Sequence, residues 1–471
     1  MSSSLSSLAG ASNVDDGAYA GVETLDTRGA TEFKAYQFRQ MRRFEAFARL
    51  SPEHQFDMEV VAQILPFRVN SHVLNQLIDW SRAPDDPMFR LVFPHRAMLE
   101  EKQFSAMADL LRADAPAADI AALASRIRLE LNPHPAQQQS LNVPSLEGKR
   151  LAGLQHKYAN TLLFFPVQGQ TCHSYCSFCF RWPQFVGKDM RFAAYDTIEL
   201  YRYLRAHPEI SDLLVTGGDP MVMRSTRLAA CLEPLVSEPG LEHLRTVRIG
   251  TKSLTFWPQR FLHDDDADDL LRLIERLTAA GRHVAIMAHI NHWQEMESPL
   301  FEQAVRRIRN AGAVIRSQAP VLAHVNDSAD DWVRMWERQV NLGIIPYYMF
   351  VERDTGAKGY FQIPLVRAHG LYADAIRRVS GIARTARGPS MSCGPGKVEL
   401  SGIVDVQGER VFALNFLQGR NPMWARRPFF AKFDSEATWF DQLEPAFGAD
   451  RFFFSDEYAQ MQVDGEAEYQ Q

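Results

Sequence analysis

Three cysteines, Cys172, Cys176 and Cys179, stand close together in the run GQTCHSYCSFCFRW. Their C-x-x-x-C-x-x-C spacing suits three thiolates closing on one iron–sulfur cluster. A [4Fe–4S] cube ordinarily takes four protein thiolates, so three leave one iron open to another ligand. A zinc site would instead bring four ligands in spaced pairs, and the sequence has no second pair. Cys231 and Cys393 stand alone and read as small core residues.

In radical S-adenosylmethionine (SAM) enzymes the open iron takes the amino and carboxylate groups of SAM, and the reduced cluster cleaves SAM to a 5′-deoxyadenosyl radical. Two further motifs bear on that chemistry. In TGGDP, Thr216, Gly217, Gly218 and Asp219 follow an apolar run one strand after the cysteines. Paired glycines there let the backbone approach a ligand, and beside the cysteines they are expected to hold the SAM amino group. In GPGKVEL, Lys397 lies in a glycine-rich turn, where a lysine is often a solvated surface residue. Its functional reading is the Schiff-base lysine of pyridoxal phosphate (PLP), which needs an amine desolvated enough to act as a nucleophile.

These motifs need a frame. Six apolar, β-rich runs begin at Thr161, Asp212, Thr246, His283, Val314 and Ile344, with amphipathic stretches such as ADDLLRLIERLTAAG and SPLFEQAVRRIRNAG between them. Alternation of strand and helix predicts right-handed parallel crossovers. The expected fold is α/β: a partial (β/α)6 radical SAM barrel over 151–380, with the chemistry at the carboxyl ends of its strands. A mainly helical region precedes it over 31–150, where YQFRQMRRFEAFARL and MLEEKQFSAMADLLRADAPAADIAALASRIRLEL give the clearest helical patterns. A C-terminal extension carrying the PLP lysine follows over 381–463, with DVQGERV as a hairpin turning at Gln407 and Gly408. A disordered lead over 1–30 and a polar tail over 464–471 that frays complete the expected organisation.

Composition agrees with an enzyme of small molecules. A net charge of −6 over 471 residues gives no nucleic-acid footprint. No apolar run is long enough for a membrane span, and the first residues lack the basic and apolar regions of a secretory signal. Five cysteines argue against a disulfide scaffold, and a cluster needs reduced thiols, so a cytoplasmic location is expected.

The chain resembles the lysine 2,3-aminomutase group of radical SAM enzymes, which use PLP and interconvert α- and β-amino acids. The resemblance runs from LPFRVNSHVLNQLIDWSRAPDDPMFRLVFP through HKYANTLLFF, the cysteine loop, TGGDP, VRIGTKSLTFWPQRF, AHINH and PYYMFV to GPGK, and covers most of residues 50–400. It implies a [4Fe–4S] cluster, SAM and PLP as cofactors, an electron donor of flavodoxin or ferredoxin type, and transfer of the α-amino group of a free amino acid to its β-carbon. It implies Lys397 as the PLP lysine and Tyr158 stacked on the PLP ring. It also puts Lys157 at the PLP phosphate, Arg181 on the substrate α-carboxylate, and His289 and Asn291 toward SAM. Thr161 stands where the family has a second arginine.

Departures from the lysine pattern bear on the substrate. Lysine-specific members read the distal ammonium with two aspartates, and here Arg353 and Ser390 occupy those positions. A cationic side chain without a buried counter-charge is costly, whereas an arginine and a small hydroxyl favour a carboxylate. L-glutamate, giving β-glutamate, is the leading expectation. Arg353 lies between Glu352 and Asp354, so a shift of one residue would return an acid to the pocket and favour lysine or arginine; a small or apolar amino acid is a further alternative. Radical SAM enzymes without PLP, and relatives that modify a lysine on a protein partner, are other classes to weigh. The cysteines that hold a structural zinc in lysine-type members have no counterpart, which leaves homo-oligomerisation to the aromatic tail FALNFLQGRNPMWARRPFFAKF.

Overall fold

The computed structural model describes residues 32–187 and 190–469. The expected lead over 1–30 lies outside the described residues. One sheet of eleven strands dominates, and its strands lie side by side in chain order. They are β1 (Leu154–Tyr158), β2 (Thr161–Phe164), β3 (Asp212–Val215), β4 (Thr246–Thr251), β5 (His283–His289), β6 (Val314–Val321), β7 (Ile344–Val351), β8 (Arg387–Ser392), β9 (Gly396–Val406), β10 (Glu409–Gly419) and β11 (Pro428–Lys432).

All six expected parallel strands are present as β2 to β7, each paired with the next. In β3, β4 and the first part of β6 buried residues alternate with partly exposed ones, so the two faces of the sheet have different surroundings. A seventh strand, β8, pairs parallel with β7, which corrects the six-strand reading. Its sequence, RGPSMS, carries the Gly, Pro and Ser that ordinarily mark a turn. The extension is therefore no separate appendage at its start: β9, β10 and β11 continue the same sheet as an antiparallel meander. Gln407 and Gly408 turn the β9–β10 hairpin with positive φ at both positions, 52° and 84°, as a two-residue hairpin turn requires.

A helix fills each crossover, including α4 (Ile198–Ala206), α5 (Ser225–Leu232), α6 (Ala267–Ala279), α7 (Pro299–Asn310), α8 (Ala329–Asn341) and α9 (Leu365–Arg378), while α1 (Pro52–Ala62), α2 (Glu101–Arg112) and α3 (Ala117–Glu130) precede the sheet. Helix α7 shows how the sequence sets such a helix. The Ser298 hydroxyl caps it by accepting from the Leu300 amide at 3.2 Å, and Gly312, at φ 92°, ends it. Its buried face, Phe301, Val305 and Ile308, packs on the sheet, each side chain contributing about 1.5–3 kcal/mol.

Two sequence patterns fold differently from expectation. YQFRQMRRFEAFARL forms a short turn of 3-10 helix and one four-residue helix, because Phe44 adopts an extended conformation between them. Asp114, at φ 50°, and Pro116 divide the long predicted helix into α2 and α3. The polar stretch from Asp464, expected to fray, continues the last helix, α10 (Ser455–Tyr469). Among the described residues no helix is long and apolar enough to cross a membrane.

The sheet curls so that the region of its first strand returns to residues just past β8 and β10. Lys157 on β1 donates to the Cys393 carbonyl just past β8, and Arg420 beyond β10 donates to Asn142 Oδ1 at 2.5 Å. This closure encloses the space in front of the strands' carboxyl ends.

Candidate active site

The cysteine loop follows β2 and is clamped from three sides. The Tyr175 amide donates to the Arg68 carbonyl at 2.8 Å and the Ser177 amide to the Leu91 carbonyl at 2.8 Å. His173 Nδ1 lies 2.9 Å from Ser253 Oγ beyond β4, and Trp182 Nε1 donates to Thr355 Oγ1 at 3.0 Å beyond β7. So held, Cys172, Cys176 and Cys179 all open on one cavity of about 270 Å³. None is in a disulfide. Burial pushes all three thiols up, Cys179 to about 11; a bound metal reverses that preference by stabilising the thiolate. Among the described residues no group of three Cys, His, Asp or Glu converges as it would on a single ion.

TGGDP sits at the end of β3. Thr216, Gly217 and Gly218 line the cavity beside the cysteines. A Cβ on Gly218 would lie 2.4 Å from the Thr171 carbonyl oxygen, and one on Gly217 2.1 Å from Gln170 Nε2. The glycines thus let the cysteine loop pack on the strand end, a reason additional to the expected approach of a ligand. Asp219 does not face the cavity. Its carboxylate accepts from Thr251 Oγ1, the amides of Met221, Lys252 and Ser253, and Ser253 Oγ, all at 2.8–3.0 Å. It ties the end of β3 to the end of β4.

His289 lines the cavity at the end of β5. Burial and the nearby Lys252 push its imidazole down to about 4, so it stays neutral. Asn291 is fully buried behind the wall, where its Oδ1 accepts from Lys252 Nζ at 2.9 Å. The same ammonium pairs with the buried Glu295.

A second chamber of about 180 Å³ adjoins the first, and Arg181, Arg248, Arg353 and Lys397 line both. Tyr158 and Lys157 reach it from β1, and Thr161 from β2. Lys397, near the start of β9, stands opposite Ser392 and Gln418 across the sheet. Its Nζ is 3.4 Å from Gln418 Oε1 and 4.1 Å from the Tyr348 ring centre. Burial, with Arg248 and Arg387 nearby, lowers its pKa to about 7. A large part of it is therefore the free amine near neutral pH, as a nucleophile requires.

Arg181 is flanked by the rings of Phe165 and Phe180 at 4.7 and 4.9 Å, and burial pushes its pKa down to about 10. Arg353 lies over Phe180 at 5.2 Å, and its Nε has no hydrogen-bond partner. Ser390 corrects the expectation: it is fully buried with its hydroxyl unpaired and does not line either chamber, whereas Ser392 lines both. Spacing from Lys397 gave a position on β8 but not the direction of its side chain.

Sequence reasoning missed Arg248, Lys252 and Gln418. Arg248 sits inside β4 between two buried residues, Val247 and Ile249, and a charge within such a run was the available signal. Its guanidinium grips Asp212 at 2.8 and 2.5 Å, and Thr161 Oγ1 donates to the same carboxylate at 3.2 Å. Altogether Lys157, Arg181, Arg248, Lys252, Arg353 and Lys397 line the two chambers, against Glu352 as the acid. Asp212 holds Arg248 and Glu295 holds Lys252. Lys157, Arg181, Arg353 and Lys397 are in no ion pair within 4.0 Å among the described residues. The site is built for anions.

Comparison with known proteins gives this arrangement a context. A protein of Aquifex aeolicus (strain VF5) described as a putative L-lysine 2,3-aminomutase is 30% identical over 390 residues, 83% of this chain and 90% of its own length. The L-lysine 2,3-aminomutases of Bacillus subtilis (strain 168) and Escherichia coli (strain K12) are 29% and 26% identical over 273 and 231 residues, covering 57% and 49% of this chain and 55% and 63% of theirs. The chain belongs to the lysine 2,3-aminomutase family. No family model matches it. Among solved structures, Streptococcus suis SuiB bound to S-adenosylmethionine aligns over 58% of this chain and 56% of its own, at 12% identity and a TM-score of 0.33.

Proposed function

We propose that this chain is a radical SAM, PLP-dependent 2,3-aminomutase that converts L-glutamate to β-glutamate. The observation that carries the substrate is the pair Arg181 and Arg353, two guanidiniums without a carboxylate partner that line the same two chambers as Lys397. A dicarboxylic amino acid supplies one carboxylate to each, and guanidinium–carboxylate pairing is strong and directional.

The residues fit the cofactors that the family resemblance implies. Cys172, Cys176 and Cys179 are the donor set for a [4Fe–4S] cluster with one open iron, a reading supported by their lining one cavity with residues at the ends of β3, β4 and β5. Thr216, Gly217, Gly218 and His289 form the cavity edge for SAM, with Asp219 and Asn291 positioning that edge from behind. Lys397 holds PLP, Tyr158 offers a ring face to it, and Lys157 is the group for its phosphate, whose negative charge would favour the protonated amine against the burial that lowers its pKa. When bound, the cluster and SAM supply a carbon radical, and PLP supplies a conjugated system that stabilises a radical beside it. Arg181 then fixes the α-carboxylate, Arg353 fixes the far carboxylate, and together they turn the β-carbon to a single orientation. The apolar wall formed by Phe178, Phe180, Tyr348 and Phe350 keeps water from the reacting centre. A flavodoxin- or ferredoxin-type donor is the partner this chemistry needs.

The test is anaerobic reconstitution with iron, sulfide, SAM, PLP and a reductant, followed by a screen of the proteinogenic amino acids for β-isomers by mass spectrometry. Conversion of glutamate with lysine inert is expected. Conversion of lysine with glutamate inert overturns the substrate, and SAM cleavage without any β-amino acid overturns the mutase reading.

A further inference from the structure

Glu352 is the one acid among the described residues lining the two chambers. It follows Val351, the last residue of β7, where the strict alternation of side chains ends. Glu352 and Arg353 consequently both line the larger cavity, although they are consecutive. Glu352 is 6% exposed, and its Oε1 has no hydrogen-bond partner; Arg353 Nε is also unpartnered. Asp354, the next acid, lines neither chamber; its Oδ2 accepts from Asn132 Nδ2 at 3.2 Å, while its Oδ1 is unpartnered. Buried polar atoms without partners are costly in a folded protein. Two such atoms lie on adjacent residues that both line one cavity, and they mark a place where a ligand entering that corner completes them.

The two groups are chemically complementary to one kind of ligand end. A guanidinium only donates, while a carboxyl accepts and, when protonated, also donates. We propose that Glu352 reads the distal end of the substrate together with Arg353, so that the site selects amino acids whose side chain ends in a planar carboxyl or carboxamide group. One heteroatom of that group accepts from Arg353. The other meets Glu352, as an acceptor if it is a carboxylate oxygen and as a donor if it is an amide nitrogen. An ammonium would lie beside Arg353, and an apolar end would leave both groups unpaired. This inference rests on the aminomutase reading and makes Glu352 a specificity-determining residue within it.

The experiment uses the fully loaded enzyme with Glu352→Leu, Glu352→Gln and Arg353→Met, alone and combined. It measures kcat/KM for glutamate, glutamine and lysine, with SAM affinity and iron content alongside. Glu352→Leu is expected to lower kcat/KM for the preferred substrate about tenfold or more while SAM affinity and iron stay within twofold, and Glu352→Gln to recover part of the loss. Glu352→Leu combined with Arg353→Met is expected to lose less than the product of the single losses, the mark of a shared partner. The ratio of glutamate to glutamine turnover identifies which planar group is the substrate's. An unchanged substrate ranking in Glu352→Leu overturns the proposal. So does a parallel loss of SAM binding or iron, or a wild-type lysine preference that Glu352→Leu abolishes. If no amino acid is turned over, the aminomutase reading itself fails. Equilibrium binding of glutamate, glutamine and lysine to wild type and Glu352→Leu then decides the pair's role, and equal binding to both proteins overturns it.

Discussion

The amine of Lys397 lies 4.1 Å from the centre of the Tyr348 ring, in a site already crowded with positive charge from Arg248 and Arg387. The ring face offsets part of that repulsion for the protonated amine, but burial and the two guanidiniums prevail, and the pKa falls to about 7. PLP loading is therefore expected to slow about tenfold per pH unit below 7 and to level off above it. The absorbance of PLP-treated protein checks this, and Lys397→Ala is expected to abolish the lysine-bound band. The linked stability effect has a definite sign. Between pH 7 and the ordinary lysine range the unfolded chain binds more protons at this residue, so its contribution makes the PLP-free protein more stable as pH rises through that window.

Asp219 is expected to matter for folding before it matters for ligands. Asp219→Ala strands the buried amides of Lys252 and Ser253 and the hydroxyl of Thr251, at about 1–3 kcal/mol for each unsatisfied group. A loss of about 3 kcal/mol or more in urea unfolding of the cofactor-free protein is expected, with a smaller loss for Asp219→Asn.

The five cysteines separate into two classes. Substituting serine at Cys172, Cys176 or Cys179 is expected to abolish the visible absorbance and iron content of the reconstituted protein. Cys231→Ser and Cys393→Ser are expected to keep both, because these thiols are buried away from the cavity. Equal iron loss from all five would remove the basis for the cluster site.

Arg181→Lys keeps the charge but loses the planar fork. Losing a charged hydrogen bond of about 1.5–3 kcal/mol corresponds to a KM raised roughly tenfold to a hundredfold, with SAM affinity unchanged. Steady-state kinetics beside SAM binding distinguish this from a collapse of the cavity.

Much of this molecule was readable from its residues. The six strands β2 to β7 announce themselves by apolar runs, and the cysteine loop and TGGDP by their spacing. The seventh strand was hidden because Gly388 and Pro389 interrupt it with turn residues. Asp219 and Asn291 follow the strands expected of them but turn away from the cavity, and Ser390 lies buried on the unexpected seventh strand, since spacing fixes a position along the chain and says little about side-chain direction. Glu352 was visible only as a rival register to Arg353, and the structure admits both to the cavity because the strand has ended. Arg248 and Gln418 became legible only when the curled sheet brought β4 and β10 to Lys397.

The central claim is that nitrogen moves within one dicarboxylic amino acid. Glutamate labelled with ¹⁵N at the α-amino group, incubated anaerobically with the loaded enzyme and followed by NMR, tests it most directly. The account predicts β-glutamate carrying the label on its central carbon, at full enrichment even when unlabelled ammonia is present. Label diluted by ammonia, or β-lysine formed from lysine while labelled glutamate stays unchanged, would contradict it.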